Sequence, residues 1–401
     1  MRRIEADVAV IGAGPSGLIS AREASLRGVR VVVLEEHREV GLPCHCAGLL
    51  SIKGLKEINV PVNGPYVLNR FKGARFFSPS KLSFLVERKE HVACVVNRHA
   101  FDQFLAEKAS KSGALIELNS RVSKLKYLGG CWVLDAGGVE VIAKIIIDAE
   151  GAASRILRMT GLKTLNMSRL LSGLQVDLEG VDLDPDYVEV HFSNNLAPGL
   201  FAWVIPLNED SARVGLACRG SDIRTRLNKF MRRRFGEDFE DKVRILKLYS
   251  GSVITQGPIK KTYGNALLVV GDSAGQVKPI SGGGVIFGGI CASIAGGIAS
   301  KSILEGDTSE GFLKTYETMW RRKIGRELRK ALLIRRILNM FSDRDLDKIF
   351  SIIIEEGIYR DLSEEGEMDF HGNLVMKVVR RRFLSFLPAV INAIVTRLIA
   401  P

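Results

Sequence analysis

Cys44-His45-Cys46-Ala47-Gly48 sets two thiols and an imidazole side by side, directly before two small residues. Such a group could ligate a metal, close a redox disulfide, or present a proton to a ligand lying against the loop. A metal site needs a second ligand pair, and the remaining cysteines (94, 131, 218 and 291) stand singly, so no metal is expected. The spacing of the pair suits a disulfide poorly. Two readings stay open: small apolar fillers, or a thiol that faces a cofactor as acid or redox partner.

The residues ahead of the loop say what it faces. Val8 to Ile11 reads as a short apolar strand, followed by Gly12-x-Gly14-x-x-Gly17 and a helical stretch to Gly28. A second apolar strand, Val29 to Leu34, ends in Glu35. In this pattern Gly12 allows the tight turn, Gly14 lets backbone approach a pyrophosphate, and Gly17 lets the helix pack on the strand. The first turn of the helix, with Ser16, offers free N–H groups and a positive dipole end to phosphate. Glu35 lies where a carboxylate accepts from ribose hydroxyls. A dinucleotide site is expected here.

Far along the chain a third apolar strand, Ala266 to Val270, leads into Gly271-Asp272 and then Gly282-Gly283-Gly284-Val285 before a helix. Between the two ends lie Arg98 beside a helix and an Asp148…Gly151…Ser154 run. This set resembles the paired FAD fingerprints of flavoproteins of the glutathione-reductase and p-hydroxybenzoate-hydroxylase type. The resemblance implies FAD as cofactor, with Asp272 on the ribityl chain and the following helix aimed at the flavin. Its implied contacts are Gly12, Gly14, Ser16, Gly17, Glu35, Cys46, Ala47, Gly48, Arg98, Val122, Asp272, Gly283, Gly284 and Val285. No second Gly-x-Gly-x-x-Gly follows a strand, so no dedicated nicotinamide domain is expected. Electrons would then come from a ferredoxin-like protein or from reduced nicotinamide binding transiently.

Over nearly its whole length the chain also resembles the geranylgeranyl reductase family of archaea, bacteria and plants. The family's Pro-x-x-Cys-Gly loop is matched by Pro43-Cys44-His45-Cys46, with Ala47 in place of the glycine. Its Pro-x-x-Tyr-x-Trp-x-Phe-Pro strand is matched by Pro198, Phe201, Trp203, Ile205 and Pro206, with Phe for Tyr and Ile for Phe. Strand alternation puts Phe201, Trp203 and Ile205 on one face, as the apolar wall of a long pocket or as an ordinary buried strand. The implied activity is hydrogenation of isolated C=C bonds of geranylgeranyl chains in archaeal-type membrane lipids or their precursors. Such an alkene has no carbonyl to delocalise charge, so reduction must couple protonation of one carbon with hydride delivery to the other in a dry pocket. Cys46 and His45 are the candidate acids, with a water near the glycine triplet as a third. The alternative is an FAD-dependent monooxygenase of the same fold acting on an apolar or aromatic substrate.

The elements that must position these groups follow from composition and pattern. The chain has 401 residues, 46% hydrophobic and 25% charged, as suits a globular protein with a full core. The expected fold is α/β: a Rossmann-type FAD-binding domain of the p-hydroxybenzoate hydroxylase superfamily, a β-sheet substrate domain and a C-terminal helical region. The expected domains are 1–65, 92–163 and 255–305; then 66–91 and 164–254; then 306–401. The six sparse cysteines and a polar N-terminal run point to the cytoplasm. Pro279 to Ser300 carries no charge but seven glycines, which reads as a buried turn and helix rather than a membrane span. Phe312, Tyr316, Trp320, Ile324 and Leu328 form one helical stripe.

A net charge of +12 favours an anionic membrane surface as neighbour. Arg224 to Arg234 holds six basic residues and no acid, and Arg321 to Arg336 holds eight against Glu327 alone. These runs are expected as solvated helix faces or as contacts with lipid headgroups. Nucleic acid is not expected, because no reader motif accompanies them. Arg380 to Arg382 precede the uncharged run Phe383 to Thr396, expected as an interfacial helix at the inner face of the membrane or as a lid.

Overall fold

The computed structural model describes residues 2–382, 385 and 386. The expected interfacial helix after Arg382 therefore lies almost wholly outside the described residues.

Uninterrupted apolar runs such as Val31–Leu34 are what parallel strands covered on both faces require. The Arg2–Ile11 strand lies between Val31–Leu34 and Val139–Asp148, with Leu115–Glu117 and Leu267–Val269 outside them, all parallel. Val8 and Val10 turn to one face, where the helices Pro15–Ser25 and Val285–Glu305 pack. Ala9 and Ile11 turn to the other. The second strand starts at Val31, two residues later than expected. The Arg30 carbonyl first accepts from both Asp7 N and Val8 N, and regular pairing begins only beyond it.

The glycine-rich apolar run forms the Val285–Glu305 helix, mostly buried although long and apolar enough to cross a membrane. Its glycines serve close packing: a Cβ on Gly296 would come within 2.3 Å of the Ser20 carbonyl oxygen.

A seven-stranded sheet runs in the order Arg244–Val253, Leu171–Glu179, Ser211–Cys218, Ala202–Pro206, Tyr187–His191, Gly73–Phe77, Ser83–Glu87. Leu174, Val176, Val214, Leu216, Ala202 and Val204 pack beneath the Ile223–Phe235 helix. By alternation the intervening residues, among them Gln175, Gly215, Phe201, Trp203 and Ile205, face the other way.

The Glu310–Leu338 helix buries Tyr316, Trp320, Ile324 and Leu328, and the helices Asp343–Glu355, Ile358–Glu365 and His371–Arg381 follow. Their edges are fixed by polar contacts. Asp343 accepts from Ser193 Oγ and Asn194 N, and Asp347 from Ser78 and Ser80. Arg88 donates to the carbonyls of Glu364 and Gly366, and Glu327 accepts from Gly372 N and Asn373 N.

The basic runs differ from expectation. Arg335 is buried, donating to the carbonyls of Gly199, Pro279 and Ile280, because it continues the Leu328 stripe seven residues on. In the other run Arg234 pairs with Glu189 at 2.6 Å, Arg226 with Asp222 and Arg232 with Glu240. Arg335 thus leaves its run for the interior, while the other basic residues of Arg321–Arg336 stay exposed or half-exposed as a solvated face.

Candidate functional site

A cavity of about 1260 Å³ runs from the first glycine loop, past the cysteine loop, to the space between the seven-stranded sheet and the C-terminal helices. At its polar end the three glycines divide their work. A Cβ on Gly12 (φ +99°) would lie 2.6 Å from the Ala149 oxygen, and one on Gly17 would lie 1.9 Å from the Gly12 oxygen. A Cβ on Gly14 would meet nothing within 4 Å among the described residues, so its backbone is open to a ligand. Ser16 sits between Gly271 and Gly288. Glu35 is buried and accepts from Ala13 N at 2.8 Å and His37 N at 3.0 Å, which ties the acid to the glycine loop.

Arg98 opens the Arg98–Lys111 helix and grips Asp102 with both nitrogens at 3.0–3.1 Å. Val122, Asp272, Gly283, Gly284 and Val285 complete this end. Burial raises the Asp272 pKa, and the Arg98 charge opposes the rise. The helices Pro15–Ser25 and Val285–Glu305 both begin at glycines without a side-chain cap among the described residues. Two sets of free amide donors therefore face one elongated cavity, a donor set that fits a dinucleotide with phosphates at one end and carbonyls at the other.

Cys44, His45, Cys46, Ala47 and Gly48 all line the cavity. Cys44 shares the wall with Cys46. Burial pushes its thiol pKa up, although Arg98 pulls against this. Cys46 Sγ accepts from Gly48 N at 3.4 Å, and His45 Nδ1 meets the Ser250 oxygen at 2.5 Å. Three residues absent from the sequence expectations hold the loop. Arg213 Nη1 donates to the Ala47 carbonyl at 2.8 Å, while Nε and Nη2 clamp Asp177 at 2.7 and 2.9 Å. The Tyr249 hydroxyl donates to Asp177 at 2.8 Å. Burial and that bond raise the Tyr249 pKa to about 12. Asp177 and Arg213 stand out in the sequence only as single charges inside apolar alternating strands.

Beyond the loop the cavity turns apolar. Phe201, Trp203 and Ile205 line it on the sheet side, with Ile334, Phe341 and Phe350 on the helical side. Gln175 and Trp203 flank Gly215 in register, and a Cβ on Gly215 would lie 2.5 Å from Gln175 Cβ and 2.7 Å from Trp203 Cζ2. Neither end of the Gln175 amide, nor Trp203 Nε1, finds a partner among the described residues. Sequence reasoning also missed Lys278 and His371, which line the cavity too.

Residues 5–330 match the FAD binding domain family. The digeranylgeranylglycerophospholipid reductase of Methanocaldococcus jannaschii is 34% identical over 351 residues, 86% of this chain and 89% of that protein. One from Methanothermobacter thermautotrophicus is 34% identical over 354 residues, 86% and 90%. The crystal structure of a geranylgeranyl bacteriochlorophyll reductase-like protein from Thermoplasma acidophilum superposes with a TM-score of 0.87 at 26% identity, over 98% of this chain and 100% of that one. A flavin-dependent brominase shares the fold, with a TM-score of 0.68 at 16% identity over 94% and 100%. With its paired glycine loops, uncapped helix starts and apolar extension, the chain belongs to the FAD-binding flavoprotein family, among the geranylgeranyl reductases.

Proposed function

We propose that this protein is a flavin-dependent reductase that hydrogenates isolated C=C bonds of geranylgeranyl chains in archaeal-type membrane lipids or their precursors. The observation that carries the reading is the continuity of one cavity from the cysteine loop into a wall of Phe201, Trp203, Ile205, Ile334 and Phe350. A polyprenyl chain is the ligand such a wall suits, since each buried CH₂ contributes about 0.8 kcal/mol. FAD, when bound, supplies the hydride.

The chain's own residues do the rest. Gly12, Gly14, Ser16, Gly17, Glu35 and Val122 would hold the nucleotide half, and Arg98, Asp272, Gly283, Gly284 and Val285 the flavin half. Phe201, Trp203 and Ile205 orient the alkene and exclude water. Cys46, or His45 beside it, presents the proton at the cavity wall. The electron donor in this reading is a ferredoxin-like protein or reduced nicotinamide. The lipid is drawn from the inner face of an anionic membrane that the protein touches peripherally.

The test is anaerobic. FAD-loaded protein reduced with dithionite is mixed with a digeranylgeranyl glycerophospholipid, and the lipid mass is followed. A gain of two hydrogens per bond is expected. An unchanged lipid, with oxygen and NADPH instead giving a hydroxylated product, would select a monooxygenase.

A further inference from the structure

Lys278 lies in a closed turn: its N donates to the Gly283 carbonyl at 3.1 Å, and Gly282 N donates back to the Lys278 carbonyl at 2.8 Å. The turn folds the side chain over the glycine triplet. A Cβ on Gly283 would lie 2.8 Å from Lys278 Cε and 3.4 Å from Nζ. The ammonium is buried and donates to Asp369 Oδ1 at 3.0 Å and to the Met368 carbonyl at 3.3 Å. Asp369 is buried too, and its second oxygen takes the Ser51 hydroxyl. The partners come from separate segments, Lys278 from the loop before the Val285–Glu305 helix and Asp369 from the segment entering the His371–Arg381 helix.

The nearby titratable groups add little mobile charge. His371 lines the cavity beside the pair, and burial, helped by the Lys278 charge, lowers its pKa to about 3, so it stays neutral. Glu327 is occupied by the amides of Gly372 and Asn373. Asp272 lies against Gly284 with the Arg98 charge acting on it, and Lys278 with Asp369 adds a buried ion pair at the start of a helix whose positive dipole end faces the same space.

We propose that Lys278 and Asp369 set the reduction potential of the bound FAD in opposite senses, Lys278 raising it and Asp369 holding it down. Uptake of two electrons and one proton leaves the isoalloxazine with one added negative charge. A fixed cation beside the glycine triplet favours that form, and a fixed anion behind the cation offsets it. The pair also connects the C-terminal segment to the flavin loop, but a purely mechanical link gives no reason for the two charges to act with opposite sign.

The experiment is an anaerobic dye-equilibrium titration of the FAD-loaded full-length protein, with dithionite as reductant. Lys278→Met should lower the preference for reduced over oxidised flavin about tenfold, or about 30 mV for a two-electron couple. Asp369→Asn should raise it by a similar factor, and Lys278→Arg should stay near the parent. Potentials that do not move, or that move the same way in Lys278→Met and Asp369→Asn, overturn the proposal. No lipid is needed, so a protein that binds FAD but reduces no alkene would sink the reductase reading and leave this test intact.

Discussion

Arg213 Nη1 donates to the Ala47 carbonyl at 2.8 Å, so a central strand of the seven-stranded sheet grips the loop that carries both cysteines. The same guanidinium clamps Asp177, and its side chain is 4% exposed. Arg213→Ala leaves a buried carboxylate without its cation and should cost about 3–5 kcal/mol in urea unfolding. Arg213→Lys keeps the charge but not the planar fork. It should fold, lose less, and let iodoacetamide reach Cys44 and Cys46 faster. Parent-like unfolding of Arg213→Ala would show that the clamp is not structural.

Cys46→Ser should keep FAD and lose most alkene reduction, about 10²–10⁴-fold, as expected when a general acid is replaced by a much weaker one. Cys44→Ser should cost little beyond stability. Single-turnover reoxidation of reduced flavin by a geranylgeranyl lipid compares the two. A parent-like rate in Cys46→Ser would remove that thiol from the chemistry and leave His45 or a bound water. Because burial pushes Cys44 up, its alkylation should need a higher pH than that of an ordinary thiol.

Flavin content tests the polar end. Glu35→Ala and Asp272→Ala should each lower the flavin absorbance per chain after purification. Gly284→Val should lower it too, since a Cβ there would come within 2.6 Å of Asp272 Oδ1. Full flavin in all three would move the cofactor elsewhere.

Acid stability follows from His371, whose folded pKa of about 3 lies below the usual 6.5. Between these values the unfolded chain binds a proton that the folded chain refuses, so stability is lost as pH falls from 6.5. His371→Gln removes that loss and should flatten the decline between pH 6.5 and 4.5 by roughly 2 kcal/mol. Equal pH slopes in urea midpoints for variant and parent would refute it. His191, also lowered by burial, acts with the same sign in both proteins and cancels in the comparison.

Gln175→Leu should stabilise the protein stripped of FAD and lipid by about 1 kcal/mol, because it removes a buried amide that lacks partners. A destabilised variant would mean that the amide is satisfied in solution.

Much of the polar end was readable because its grammar is local. Gly12, Gly14, Gly17 and Glu35 lie within one βαβ unit, and the Phe201–Trp203–Ile205 wall needs only an alternation of two. What escaped was long-range. Arg213 meets Ala47 across 166 residues and Lys278 meets Asp369 across 91, and nothing local announces either. Arg335 was an intermediate case. It looks like any residue of a basic run, yet extending the Leu328 stripe by seven positions would have placed it inside.

The polar contacts that fix the edges of the C-terminal helices are made within the protein and need no ligand. Asp343, Asp347, Arg88 and Glu327 hold the wall whether or not a chain fills it. Calorimetry of lipid uptake should therefore report a negative heat-capacity change set by the apolar surface covered. The excess that accompanies coupled folding should be missing, as befits a mould cast before its filling arrives.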